Sequence, residues 1–138
     1  MSDTTEHTLM NDLGLLVVRA GAGLFMIIGH GWGKLMNFGE KASGFPDPLG
    51  IGNELSMAAA ISAEVFAALL VVIGLGTRYA SAALVFTMAV AAFIVHGGDP
   101  FGEREMALLY AVIFLALALT GAGKFSADHK ISAMRKNK

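Results

Sequence analysis

The chain has 138 residues, a net charge of −1 and no cysteine. Thiolate nucleophiles, disulfide exchange and Fe–S ligation are therefore excluded for this chain alone, and the near-neutral balance argues against nucleic acid as a partner. It is 55% hydrophobic and only 15% charged, against about 25% charged in an ordinary soluble domain; the mean hydropathy is +0.63, and the length suits one domain with no room for a separate catalytic unit.

The first twelve residues, MSDTTEHTLMND, carry no Lys or Arg. A secretory signal needs a basic start, so no cleaved signal peptide is expected. Asn11 or Asp12 is the expected cap of a first helix over about 12–36, whose apolar stretch from Leu13 to Gly29 is interrupted by Arg19. The link that follows is rich in Gly, Pro and Asp, with Pro46-Asp47-Pro48 as its turn signal. Its Phe45, Leu49 and Ile51 either dip into the membrane interface or cover the end of a bundle. A second helix is predicted over about 54–75, with Glu64 near its middle. The tight turn Gly74-Leu-Gly-Thr77 leads into a third helix over about 78–96. Gly97-Gly-Asp-Pro100 breaks the chain before a fourth, over about 103–121. The tail, 124–138, is polar and basic and belongs at the surface.

Each apolar stretch approaches the ~17–20 residues that cross a bilayer. The third and fourth are apolar around the whole circumference and lack the polar stripe of a soluble bundle. The expected fold is all-α, an integral membrane four-helix bundle forming one domain over residues 1–138. Four spans put both termini on one side. That side carries Arg78, Lys124, Lys130, Arg135, Lys136 and Lys138 against Lys34, Lys41 and Arg104 on the other, so both termini are expected in the cytoplasm. Gly29 and Gly33, and Ala59, Ala63 and Ala67, have the spacing of close helix seams in lipid. These seams either shape a site or serve ordinary packing, and they are compatible with a homodimer.

Two polar groups stand out. Arg19, Gly23, Met26, His30 and Lys34 recur at helical spacings of three and four and share a face of the first helix. Glu64 at mid-membrane costs about 2.5–3.5 kcal/mol, so it is either protonated or surrounded by polar groups, with Arg19 as its expected partner. Such a pair either sets helix register or lines a cavity as a proton-accepting, ligand-binding carboxylate. At the far end, His30, Trp32, Lys34, Asn53, Glu54, His96, Asp99, Glu103 and Glu105 come to one level. Histidine titrates near neutral pH and can pass protons to a reduced ligand. These residues are either ordinary interfacial polar groups or a binding site for a quinone head group, haem or a metal. No H-x-x-x-H or H-x-x-E spacing supports a metal site, so none is expected. The glycines around His30 are not a phosphate loop, since no strand precedes them.

Arg19 with Gly21–Leu35 (G-x-G-L-F-M-I-I-G-H-G-W-G-K-L), Ala63-Glu64, Gly74-Leu-Gly-Thr-Arg78 and Gly121-Ala-Gly-Lys-Phe-Ser-Ala-Asp128 together resemble the DoxX family of small bacterial membrane proteins. The resemblance covers nearly the whole chain. It implies four transmembrane helices in the bacterial cytoplasmic (inner) membrane. Similar proteins include a membrane subunit of thiosulfate:quinone oxidoreductase and others in membrane oxidant defence. The family pattern carries over Arg19, His30, Gly31, Lys34, Glu64, Arg78, Ser126 and Asp128.

The expectation is therefore a quinone-linked redox protein or subunit, with quinone as cofactor. Glu64 and His30 are its candidate catalytic residues, and Arg19, His30, Lys34, Glu64 and His96 its candidate ligand-binding set. Lys34 would offer an anion such as thiosulfate a positive charge. Electron transfer needs a soluble or membrane redox partner subunit, which this chain does not supply. The alternative is a non-enzymatic scaffold or assembly partner docking through the basic tail. A small transporter is disfavoured by the lack of a broken-helix pair.

Overall fold

The computed structural model describes residues 2–136, with side chains from residue 8 onward, and no strand occurs among them. Helix α1 covers residues 2–36. It is α-helical over Ser2–Met26, makes one π-helical turn over Ile27–Gly31 and returns to α-helix over Trp32–Met36. Helix α2, Asn53–Ile73, contains a second π-turn at Ser62–Ala67. Helix α3, Thr77–Val95, ends in a third at Ala91–Val95. Helix α4, Phe101–Thr120, is uninterrupted, and a short helix α5, Ala127–Lys136, follows it.

Helices α1 to α4 form the expected four-helix bundle, with α1 against α2, α2 against α3, α3 against α4 and α4 closing back on α1. Thr8–Met36, Asn53–Ile73 and Thr77–Val95 are long and apolar enough to cross a membrane. Helix α4 is as long, but Glu103, Arg104 and Glu105 occupy its first turns. That leaves residues 106–120, about 22 Å of helix, as its uncharged length, short of a hydrocarbon core of about 30 Å. The core is built from Met26, Ala68, Val71, Leu84, Phe114 and Leu117, all almost fully buried. The outside is equally apolar: Val17, Phe25, Ile28, Phe66, Phe86, Phe93, Val112 and Leu119 are exposed, the pattern of a lipid-facing surface rather than a soluble one.

Three expectations are corrected. Helix α1 begins before Asn11 and Asp12, so neither caps it. Asp12 instead accepts a hydrogen bond from the Lys124 N–H at 3.0 Å, tying the segment after α4 to α1. The α1–α2 seam is made by Gly23 and Gly31, not by Gly29 and Gly33, which face open space. A Cβ on Gly23 would come within 2.5 Å of Val72, and one on Gly31 within 2.8 Å of the Glu64 carbonyl oxygen. The cause is the π-turn. The buried row of α1 runs Arg19, Ala22, Gly23, Met26, Gly31, and its last step of five residues is the π-helical repeat. A row extrapolated at 3.6 residues per turn therefore drifts off the true interface beyond Met26. The third correction concerns the partner of Glu64.

The link between α1 and α2 covers the bundle end. A helical turn Phe38–Lys41 and a 3₁₀ turn Ala42–Gly44 bring buried Ala42, with Leu35, Phe38 and Phe45, onto Met57, Ile61 and Val65 of α2. Asp47 then organises the start of α2. It accepts hydrogen bonds from the Ser56 hydroxyl at 2.7 Å and from the N–H groups of Ile51 and Gly52, each at 2.9 Å. These donors, Ser56 foremost and then Gly52, hold the Asp47 carboxyl below the usual carboxylate range.

Candidate functional site

A cleft of about 660 Å³ lies between α2 and α3 at the end of the bundle that carries the covering link. Ala59, Ala60, Ala63 and Ala67 line it from α2, and Ala83, Phe86, Thr87, Val90 and Ala91 from α3. Phe45, Pro46, Pro48, Leu49 and Ile51 close it from the link. The alanine row serves both packing and the cleft: Ala63 is buried in the core and Ala67 packs against it, while the row also lines the open space. The hydroxyls of Ser62 and Thr87 are turned back onto the carbonyls of Ala58 and Ala83 in their own helices. The Ser56 hydroxyl, also on the lining, is bound to Asp47, which leaves Lys34, Glu64 and His96 as the lining side chains with charge or proton chemistry.

Glu64 sits in the α2 π-turn and is 5% exposed. Its partner is Lys34, whose Nζ lies 2.5 Å from Glu64 Oε2 and also donates to the His30 carbonyl at 3.3 Å. The pair depends on Gly31. Only a residue without a side chain lets α1 press against the Glu64 backbone, and one turn further on Lys34 reaches across. Two of the three ammonium hydrogens are thereby engaged. The Lys34 charge is offset by Glu64, and is not free at the cleft mouth for an anion.

The two histidines separate. His96 follows the α3 π-turn, lines the cleft, and its Nδ1 lies 2.8 Å from Asp99 Oδ2. The His30 ring is turned out of the cleft by the α1 π-turn. It meets the edge of Tyr110 on α4, with centroids 5.5 Å apart at 85°, and Tyr110 stacks on Phe114. His30 reaches the site through its backbone carbonyl, which holds Lys34. Among the described residues, no three His, Asp or Glu side chains are grouped as metal ligands would be.

Arg19 belongs to the opposite end. It is 1% exposed and donates to the Val71 carbonyl at 3.2 Å, and also to the carbonyls of Val72 and Phe125. The expected Arg19–Glu64 pair does not form, because α2 runs antiparallel to α1 and brings its C-terminal carbonyls, not its middle, to the level of Arg19. They lie in the last turn of the helix, where carbonyls lack a full set of intrahelical partners; Val71 also accepts from the Gly74 N–H at 3.1 Å. Gly74, at φ 73°, turns the chain there, and a Cβ on it would lie 3.0 Å from Arg19 Nη1. The Asp128 carboxylate, the electrostatic counterpart of Arg19, accepts hydrogen bonds from the N–H groups of Gly76 at 2.7 Å and Thr77 at 3.1 Å, at the start of α3. Its own N–H donates to the Gly74 carbonyl at 2.9 Å. Ser126 accepts from the His129 N–H at 3.2 Å and so caps α5. Arg78 lies over Gly121. The chain segments at this end are joined in one clamp.

Comparison with known proteins gives a family. The DoxX family model matches residues 14–97, more than half of the chain. The chain belongs to the DoxX family. A protein of Haemophilus influenzae described as uncharacterized is 32% identical over 113 residues, which is 77% of this chain and 82% of that protein. No solved structure matches.

The family-pattern residues divide between the two ends. Arg19, Arg78, Ser126 and Asp128 belong to the clamp or lie beside it; Gly31, Lys34 and Glu64 build the wall of the cleft, with His30 behind them. Sequence reasoning missed the cleft's alanine floor, the roles of Phe86, Thr87 and Val90, and the Asp47–Ser56 bond. The alanines were visible as a row of small residues, but a row of small residues reads alike whether it closes a seam or leaves a void. Nothing in the local pattern marked Phe86 or Val90 among the other apolar residues of α3.

Proposed function

We propose that this DoxX protein binds a quinone in the α2–α3 cleft and serves as a quinone-linked redox protein, or as the quinone-side subunit of a membrane oxidoreductase of the thiosulfate:quinone type. It would sit in the bacterial cytoplasmic membrane with both termini in the cytoplasm. The observation that carries this reading is the cleft itself. Its volume of about 660 Å³ and its apolar walls suit an apolar ring of small-ligand size. The Lys34–Glu64 pair offsets its own charge, so the site favours a neutral, hydrogen-bond-accepting ligand over an anion. One Lys34 N–H remains for a carbonyl oxygen, and His96 stands on the other wall.

Reduction of a quinone to a quinol takes up two electrons and two protons. In this reading Glu64 and His96 hold or pass the protons, and the electrons come from a partner subunit that oxidises the donor. His30 acts as a positioning residue through its carbonyl on Lys34, and Arg19 contributes to the clamp rather than to ligand contact. Mass spectrometry of an organic extract of the protein, purified in mild detergent or in lipid nanodiscs, tests this. Stoichiometric quinone is expected, and is expected to be lost in Glu64→Gln and His96→Ala while expression is retained. Phospholipid alone in the nanodisc sample, or equal quinone in both variants, would sink the reading. A scaffold role has the exposed basic helix α5 in its favour and predicts loss of a co-purifying partner when the chain is cut after Asp128.

A further inference from the structure

We propose that α5 is an interfacial helix that docks on the anionic phospholipid headgroups of the leaflet next to the clamp. At 100° per residue, Ala127, Ile131 and Met134 fall on one side of α5, flanked by Lys130 on one edge and Arg135 on the other. This is the layout of a helix lying in a membrane interface, with an apolar stripe toward the acyl boundary and basic residues reaching for phosphate. Met134 is 62% exposed and the neighbouring Phe125 45% exposed, while Ala127 and Ile131 are half-buried, so the protein leaves the far end of the apolar stripe uncovered. The helix is held at its start by the Ser126 cap and by Asp128, and projects from there.

Charge and position choose the occupant. Lys130 and Arg135 edge the stripe, Lys124 precedes the helix and Lys136 lies on its far side. The one carboxylate of α5, Asp128, is committed to the N–H groups of Gly76 and Thr77. Cations therefore dominate the free surface of α5. Its first residue follows the end of α4, Thr120, by only seven positions, and the start of α3 is bound directly to Asp128. Helix α5 thus begins at the level where the spanning helices leave the hydrocarbon. Tyr79, 87% exposed one turn into α3, is an aromatic anchor at the same level. A surface that is basic, apolar along one stripe and pinned at the bilayer boundary fits anionic headgroups, each nearby cation contributing about fivefold in partition, about 1 kcal/mol.

The absence of cysteine makes the test direct. Met134→Cys and Ser132→Cys, on opposite sides of α5, are spin-labelled in the full chain and reconstituted in nanodiscs of phosphatidylcholine with or without phosphatidylglycerol. Collision with oxygen and with a water-soluble nickel chelate reports depth. With phosphatidylglycerol present, the oxygen-to-nickel ratio at position 134 is expected to exceed that at 132 several-fold. The difference is expected to shrink without phosphatidylglycerol, in high salt, and in Lys130→Glu/Arg135→Glu, where loss of the two cations alone predicts at least about thirtyfold weaker docking. Equal ratios at both positions, a contrast indifferent to phosphatidylglycerol and salt, or shielding of position 134 from both reagents as under a protein partner would each overturn the proposal. Circular dichroism of the charge-reversed variant keeps loss of docking distinct from loss of fold.

Discussion

Replacing Arg19 with Met removes the donor that holds the C-terminal end of α2 and the Phe125 carbonyl together, and keeps a similar apolar stem. Three carbonyls lose a charge-assisted hydrogen bond, each worth about 1.5–3 kcal/mol, a gross loss of about 4–9 kcal/mol. Against this stands the desolvation of a guanidinium that is 1% exposed, which costs several kcal/mol. The net destabilisation expected, the gross loss less that desolvation, is about 1–5 kcal/mol. Arg19→Lys recovers little, because a single ammonium cannot span carbonyls on two separate segments as a planar guanidinium does. The assay is reversible unfolding in mixed micelles, followed by circular dichroism, with cleft ligand content measured on the folded protein. A loss under about 1 kcal/mol, or a loss of cleft ligand at unchanged stability, would refute the assignment of Arg19 to a structural clamp.

Gly31→Ala places a Cβ 2.6 Å from Val65 Cγ2 and 2.8 Å from the Glu64 carbonyl oxygen. Since the obstacle is largely backbone, α1 must move away, at a cost of about 1–3 kcal/mol, whereas Gly29→Ala, with open space around it, is expected to be neutral in the same unfolding assay. Lys34→Met alone leaves buried Glu64 without its cation and is expected to destabilise more than Lys34→Met/Glu64→Leu, because removing both charges also removes the desolvation cost; additive single effects in the double-mutant cycle would show that the pair is not coupled. Asp47 is depressed below its ordinary value in the folded protein, so its contribution is present above the unfolded carboxylate range, about pH 4, and fades as pH falls through the lower folded value. NMR of the Ile51 and Gly52 amides is expected to show the Asp47 bonds intact at neutral pH and lost only under stronger acid than an ordinary aspartate needs, while Asp47→Asn abolishes that transition.

Much of this molecule follows from local pattern. Four apolar stretches separated by Gly-, Pro- and Asp-rich breaks predict four helices, and the observed ends of α2, α3 and α4 lie within two residues of those expected. The Gly74–Thr77 turn is legible because Gly74 and Gly76 adopt left-handed conformations, at φ 73° and 57°, that most other residues avoid. Glu64 was identifiable as a charged group at membrane depth, where such residues need a reason, and Lys34 and His96 as polar groups sharing one level at the far end. Helix α1 starts before the expected Asn11 or Asp12 cap because a capping preference is weak beside a sequence that simply continues the helix.

The chain by itself determined the membrane character and the four helices of the bundle, since hydrophobicity and length are sums over local residues; helix α5 in the polar tail was not among them. Only the tertiary structure decided which polar group meets which. The antiparallel run of α1 and α2 sends Arg19 to a helix end and Lys34 to Glu64. The π-turns in α1, α2 and α3 change the phase of each helix by a residue, which moves Gly31 into the seam and His30 out of the cleft. A void between two helices is a relation among side chains distant in sequence, so the alanines that line it acquire their meaning only once α2 and α3 stand side by side.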